Sequence, residues 1–409
     1  MSSKLPSSLV TLFITAALTL SGCANNGADP ETSSVSQFRG NLKHTGAYDS
    51  KGPKQLKEAK WTFSAQAPIR SSPVMYNKTV FVGSDDQHFY AVEAGSGALK
   101  WAFQTGGAIK STAAITKEIV YVYSGDGILY ALSVHDGSVI WKFQTEGADR
   151  FRDDVDYWQS SPAVADGVVY FTAAGSMFYA VNADSGVLLW KKKLNFDPYV
   201  SETNVSYLHS SPAVDDGVVY VGMSGYDADQ RVEPGNIAAF DAKTGEQLWI
   251  SELLSAVDAS PVLDDNAVYY GTRGGGIGAL DRKSGKAIWK HEIVPYVLSS
   301  AALYKGTLYS GSSDDWELVA FNAADGEEKW RFRGEGPIHA SPVTDGRTVY
   351  FACGNHYNSD NLGMIYAIDA KTGKKISEYK AGGNIYSSPL LDDGVLYVGS
   401  DDGKLYAIQ

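Results

Sequence analysis

Seven times along the chain an alanine is followed six residues later by glycine, and in six copies a tryptophan follows four residues after that. The copies are Ala91/Gly97/Trp101, Ala131/Gly137/Trp141, Ala180/Gly186/Trp190, Ala239/Gly245/Trp249, Ala279/Gly285/Trp289, Ala320/Gly326/Trp330 and, without the tryptophan, Ala367/Gly373. A β-rich unit repeating every ~40 residues marks a propeller blade, which cannot bury its faces alone and must stack on its neighbours. The repeat predicts one large all-β ring. Function must then be read where the copies differ.

Each copy reads as four strands, the first opening on Ser-Ser-Pro or a variant at Ser71, Ser111, Ser160, Ser210, Ala259, Ser299, Ala340 and Ser387. Eight openings predict an eight-bladed β-propeller of four-stranded blades. The last copy stops at Gln409 after three strands. Residues 56–64, containing Trp61-Thr62-Phe63, resemble the other fourth strands and are expected to complete the C-terminal blade. Closing the ring in this way removes the free strand edges that invite aggregation.

The formal charge of −12 argues against nucleic acid, whose phosphates need a basic surface. Residues 9–20 are an apolar run too short to span a bilayer and follow Lys4, the pattern of a signal peptide. Leu20-Ser21-Gly22-Cys23 resembles a bacterial lipobox. The resemblance implies lipidation of Cys23, and Ala24 after it implies outer-membrane sorting, facing the periplasm, or cell-surface anchoring in a single-membrane source. A plain secretory peptide is the alternative. The expected organisation is a signal peptide over 1–22, a polar tether over 23–36 and the propeller over 37–409. Cys353 then lacks a partner and reads as a buried thiol.

The alanine–glycine–tryptophan spacing, the Ser-Ser-Pro openings and the segment Phe38-Arg39-Gly40-Asn41 to His44-Thr45-Gly46 together resemble the pyrroloquinoline-quinone-type repeat propellers over residues 37–409. That resemblance implies that each tryptophan docks between adjacent blades. With its anchor and eight blades, the chain is similar to the propeller lipoprotein of the outer-membrane β-barrel assembly machinery. This likeness implies a monomeric protein-binding scaffold for envelope proteins, an outer-membrane assembly complex among them, with no cofactor. The alternative from the same superfamily is a quinone-dependent periplasmic oxidoreductase using pyrroloquinoline quinone and calcium. Against it, the chain has no adjacent cysteines and no Cys-x-x-Cys-His haem-attachment motif, and no His/Cys cluster has zinc-ligand spacing.

Four segments break the period: 144–159, 194–209, 223–235 and 353–363. Antiparallel reversal places all four on one face, and long loops in a compact repeat are usually functional. Arg150, Arg152, Asp156, Tyr157, Trp158, Tyr207, Tyr226, Arg231, His356 and Tyr357 are the candidate partner-binding residues, rich in the types that dominate binding hot spots. Packing of these aromatics against the ring is the other reading. Asp153, Asp154 and Asp156, with Asp227 and Asp229 apart, offer oxygens to a cation without an EF-hand pattern. A second constellation, Arg70, Lys110, Gln159, His209, Asp258, His339 and Tyr386, precedes the first strands and is expected to ring the channel mouth.

Overall fold

A computed structural model of the chain describes residues 36–146, 159–173, 175–194, 205–207, 209–226, 234–252, 254–292, 296–354 and 363–409. Eight antiparallel sheets follow one another in sequence, each of four consecutive strands except the fourth and the last. In the last, the N-terminal strand β1 (Ala59–Ser64) pairs with the C-terminal strand Lys404–Ile408 from Ala59↔Ile408 to Ser64↔Lys404. The closure expected from residues 56–64 is observed. The fourth blade is larger than the expected four strands: Val205–Tyr207 pairs with its second strand and Leu254–Ser255 with its third, making six. The insertion 194–209 thus contributes sheet as well as loop.

The periodic residues now have physical roles. In blades one to six each repeat alanine is the cross-strand partner of the tryptophan, as in Ala91↔Trp101 and Ala239↔Trp249, and a bulge follows the alanine. The extra residue of the bulge re-aims the outer strand. Its indole leaves its own blade: Trp61, Trp101, Trp141, Trp190, Trp249, Trp289 and Trp330 donate from Nε1 to backbone carbonyls of the following blade over 2.9–3.1 Å. The ring of each tryptophan lies on the glycine of the turn between that blade's third and fourth strands. Blade seven has Ser377 at this position because blade eight has no such turn, its third and fourth strands coming from opposite ends of the chain. Ser377 Oγ instead accepts the Leu56 backbone N–H at 2.8 Å, guiding the closing segment into place.

Gly245 has φ +67, and a Cβ there would lie 2.7 Å from Trp190; Gly167 has φ +77 and open space around it. Gly167→Ala should therefore cost about 1 kcal/mol of backbone strain alone. Gly245→Ala should cost about 3 kcal/mol, because displacing the indole adds an overpacking term. Urea midpoints of the two variants measure the difference.

The first strands begin three residues later than the serine openings suggest, at Val74, Ala114, Ala163, Ala213, Val262, Ala302, Val343 and Leu390. Proline lacks the N–H that a ladder needs, so the serines stay outside it. They form a ladder of their own around the axis. The backbone N–H of each residue in the series Thr112, Ser161, Ser211, Ser260, Ser300, Ser341, Ser388 donates to the hydroxyl of the next, ending on Ser72, at 2.8–3.1 Å. This explains why the second position of every opening keeps a hydroxyl while the first tolerates Ala259 and Ala340.

A further closing device lies on the opposite face. Residues 36–51 run around the inner strands and bond to all eight blades, through Met75, Ile115, Val164, Val214, Leu263, Leu303, Thr344 and Gly394. Arg39, 3% exposed, anchors this strap by donating to the carbonyls of His44, Ala301 and Pro342 at 3.0, 2.6 and 3.0 Å. Cys353 is free and buried, and desolvation pushes its thiol up to about 12.

Candidate functional site

All seven residues expected at the channel mouth line one axial cavity, together with the serine ladder, Leu298 and Phe38. The arrangement follows from topology. Residues just before each first strand sit at the end where chains arrive from the previous blade, whereas the strap, and Phe38 with it, closes the other end as a floor. The cavity therefore lies at the end of the ring from which the strand ends flanking the four insertions leave.

Two ion networks brace its wall. Arg70 binds Asp401 through two nitrogens at 2.9 and 3.2 Å, reaches Asp85 at 3.2 Å, and lies over the Tyr386 ring at 5.5 Å. Tyr386 in turn stacks on His339 with centroids 5.3 Å apart. Burial works against the Arg70 charge, but Asp401 and Asp85 outweigh it and hold its pKa above the ordinary value. Burial raises Asp85, with Arg70 and Lys110 pulling the other way. Across the channel, Asp258, with a side chain 2% exposed, pairs with Arg273 and with His209 Nδ1 at 3.4 Å. Burial penalises the Asp258 carboxylate, yet His209 and Arg273 prevail and keep it well below the usual range. Gln159 Oε1 accepts the Lys110 backbone N–H at 3.0 Å.

Three members of these networks, Asp85, Arg273 and Asp401, escape the sequence reading. They occupy the turn between second and third strands, directly after Ser84, Thr272 and Ser400. The same position holds Gly125 and Ser313 in other copies, so variation at one turn position was the available signal.

The residues proposed for partner binding fare differently. Arg150, Arg152, Asp156, Tyr157, Trp158, Arg231, His356 and Tyr357 lie outside the described residues, as do the side chains of Tyr207 and Tyr226. Cys23 and the segments before residue 36 lie outside them too. Their flanking strands are described, and each insertion leaves from the strand ends that surround the funnel.

A family profile described as outer membrane protein assembly factor BamB matches residues 54–231, 233–357 and 340–409. The chain belongs to the BamB family. Among solved structures, BamB from Moraxella catarrhalis is 18% identical, with 86% of this chain and 97% of that one covered at a TM-score of 0.65. Quinohemoprotein alcohol dehydrogenase from Comamonas testosteroni is 16% identical over 91% of this chain and 80% of its own, with a TM-score of 0.74. A europium-containing methanol dehydrogenase is 17% identical, covering 89% of this chain and 90% of that one at 0.69. At such identities these likenesses establish the propeller fold that BamB and the dehydrogenases share. No curated protein sequence matches the chain.

The dehydrogenase names raise the question of whether a quinone would fit a BamB-family ring of this composition. The axial cavity measures about 40 Å³, room for a few waters at most. Arg70 is engaged with Asp85 and Asp401, Arg273 with Asp258, and among the described residues no group of three or more His, Cys, Asp or Glu is placed to hold a metal. The described residues do not fit a fused-ring quinone with a calcium ion. No helix among them is long and apolar enough to cross a membrane.

Proposed function

We propose that this chain is an envelope lipoprotein, anchored through Cys23, that serves as a protein-binding scaffold in outer-membrane protein assembly. The observation that carries this reading is a band of exposed apolar side chains on the outermost strands, densest over blades two to four at Val139 and Ile140, Val187 to Leu189, then Leu248 and Ile250, and continuing only singly at Leu99, Ile288 and Ile376 on blades one, five and seven. Val187, just before its strand, is 60% exposed and Leu248 is 51% exposed. Scattered single apolar residues on a surface need no explanation, but grouped ones mark interaction sites. The fourth strands of blades two and three are also sheet edges, whose unpaired backbone groups can accept an extended segment of a partner. Three of the four insertions arise from the same blades, and BamB-family membership and the lipobox support the envelope setting.

The test replaces Val187 and Leu189 by Ser in the full-length protein and measures copurification of the central barrel subunit of the assembly machinery from mild-detergent membranes. These side chains are exposed, so the melting temperature should stay within a degree or two of the parent. Recovery of the barrel subunit should fall about tenfold. Unchanged recovery would move the contact elsewhere; failure of the parent protein to retain that subunit would end the scaffold reading.

A further inference from the structure

The axial cavity gathers hydroxyl protons that the fold leaves over. Seven hydroxyls of the serine ladder, from Ser161 round to Ser72, line it, on residues only 3–9% exposed. Each oxygen accepts a backbone N–H, and none of the seven donates to an acceptor among the described residues. The acceptors nearby are engaged: Gln159 Oε1 takes the Lys110 N–H, and the Asp258 carboxylate faces His209 and Arg273. A buried hydroxyl has one proton to place. Water relays such protons but supplies as many as it accepts, so it leaves the surplus unchanged.

Charge shows the same imbalance. On the wall and its braces, Arg70, Lys110 and Arg273 stand against Asp85, Asp258 and Asp401, and their formal charges cancel. Arg39 has no such balance: its guanidinium bonds only to carbonyls, its Nη1 is buried without a partner, and it forms no ion pair among the described residues. It follows Phe38 of the cavity floor. The carbonyls that its Nη2 reaches, Ala301 and Pro342, are next in the chain to Ser300 and Ser341 of the ladder. An uncompensated positive charge is thus held beside the segments that carry two of the surplus donors. Burying a charge is costly unless something of opposite sign meets it.

We infer that the axial cavity takes one small monovalent anion of the halide class, accepting from Ser300 and Ser341 and serving as counter-ion to Arg39. At about 40 Å³ the cavity has room for an ion of chloride's size and none for a nucleotide or a dicarboxylate. The ion fastens the strap to blades six and seven from the axial side. The site needs neither the lipid anchor nor a protein partner, so it stands or falls independently of the scaffold reading.

Crystals of the full-length protein soaked in sodium bromide, and a second set soaked in rubidium gluconate, test it by anomalous scattering. A bromide peak within hydrogen-bond distance of the Ser300 and Ser341 hydroxyls is expected. In solution the parent should melt about 2 °C higher in chloride than in gluconate, each at about 0.2 M, the linkage expected when the ion is at roughly ten times its dissociation constant. Arg39→Gln should lose that difference, and Arg347→Gln, which removes an exposed arginine outside the cavity, should keep it. If circular dichroism shows that Arg39→Gln does not fold, the pair Ser300→Ala, Ser341→Ala takes its place and should lose most of the difference. Solvent alone in the cavity, bromide confined to the outer surface, or a rubidium peak in place of bromide overturns the inference. So does a chloride effect that is absent from the parent, survives the cavity substitutions or vanishes with Arg347→Gln.

Discussion

A chain lacking residues 56–64 should fail to form the ring at all. The deletion removes the whole strand Ala59–Ser64 and exposes the edge of Lys404–Ile408 along its length. It also removes Trp61, whose indole bonds to Ala94 O at 2.9 Å and rests on Gly97, so the contact between blades eight and one goes with it. Blades in a closed ring are mutually dependent, and a loss at the seam lets its core residues, Leu405 and Ala407 on one side and Val80 and Val92 on the other, meet water. The combined loss exceeds the roughly 5–15 kcal/mol by which a native protein is ordinarily stable. The expected outcome is loss of the near-ultraviolet dichroism of the packed tryptophans and elution as aggregates. Moving the same segment behind Gln409, through an Asp-Ala-Lys-Thr-Gly turn like that at 241–245, should restore both. A soluble, cooperatively melting deletion variant would show that the seam is dispensable.

The fold was legible because blades repeat. Ala, Gly and Trp recur at fixed spacing since each sits at one point of a bulged outer hairpin, and copying that hairpin copies the spacing. The closing strand was legible because it carries Trp61 in the register of the other fourth strands. The strap was not, because six of its eight blade contacts are made by backbone carbonyls, which leave little mark on side-chain identity. Its legible parts, Arg39 and His44, are single residues outside the repeat. The channel mouth was legible by position alone: the residues before each first strand had to converge on the axis, whatever their chemistry. What their chemistry amounts to needed the turn residues Asp85, Arg273 and Asp401, which convert a ring of candidate ligands into paired charges. The extra strands of blade four were hidden for another reason. Val205–Tyr207 pairs with a second strand lengthened to Tyr226, and an insertion has no sister copy against which to recognise it.

Acid should loosen the strap through His44. This imidazole is 1% exposed, packs edge-on against Phe38 at 5.3 Å, and has no hydrogen-bond partner at Nδ1 among the described residues. Desolvation first, then the Arg39 charge, lowers its pKa to about 3, against an opposing hydrogen bond to the Pro261 carbonyl. Arg39 is itself lowered to about 10, by burial. A second proton-borne charge beside a buried guanidinium is therefore what the folded state resists. In the unfolded chain the same imidazole titrates near about 6.5, so between there and 3 the unfolded state holds more protons. Stability from this group is complete above about pH 6.5 and drains away as the pH falls toward 3. Between pH 7 and 4 the loss should be about 3 kcal/mol. The depressed carboxylate of Asp258 acts in the same direction, but only below its unfolded pKa near about 3.9, and the partly buried Asp85 and Asp392, raised by desolvation, act in the opposite direction, so the histidine is isolated by comparing the parent with a variant that lacks only this imidazole. Urea unfolding at pH 7, 6, 5 and 4.5 measures the slope for the parent and for His44→Gln, an amide that cannot take up the proton. The variant starts lower, having lost packing against Phe38, yet its stability should vary far less over this range. Parallel slopes for the two proteins would mean that acid sensitivity resides in other groups and that the strap tolerates a charged His44.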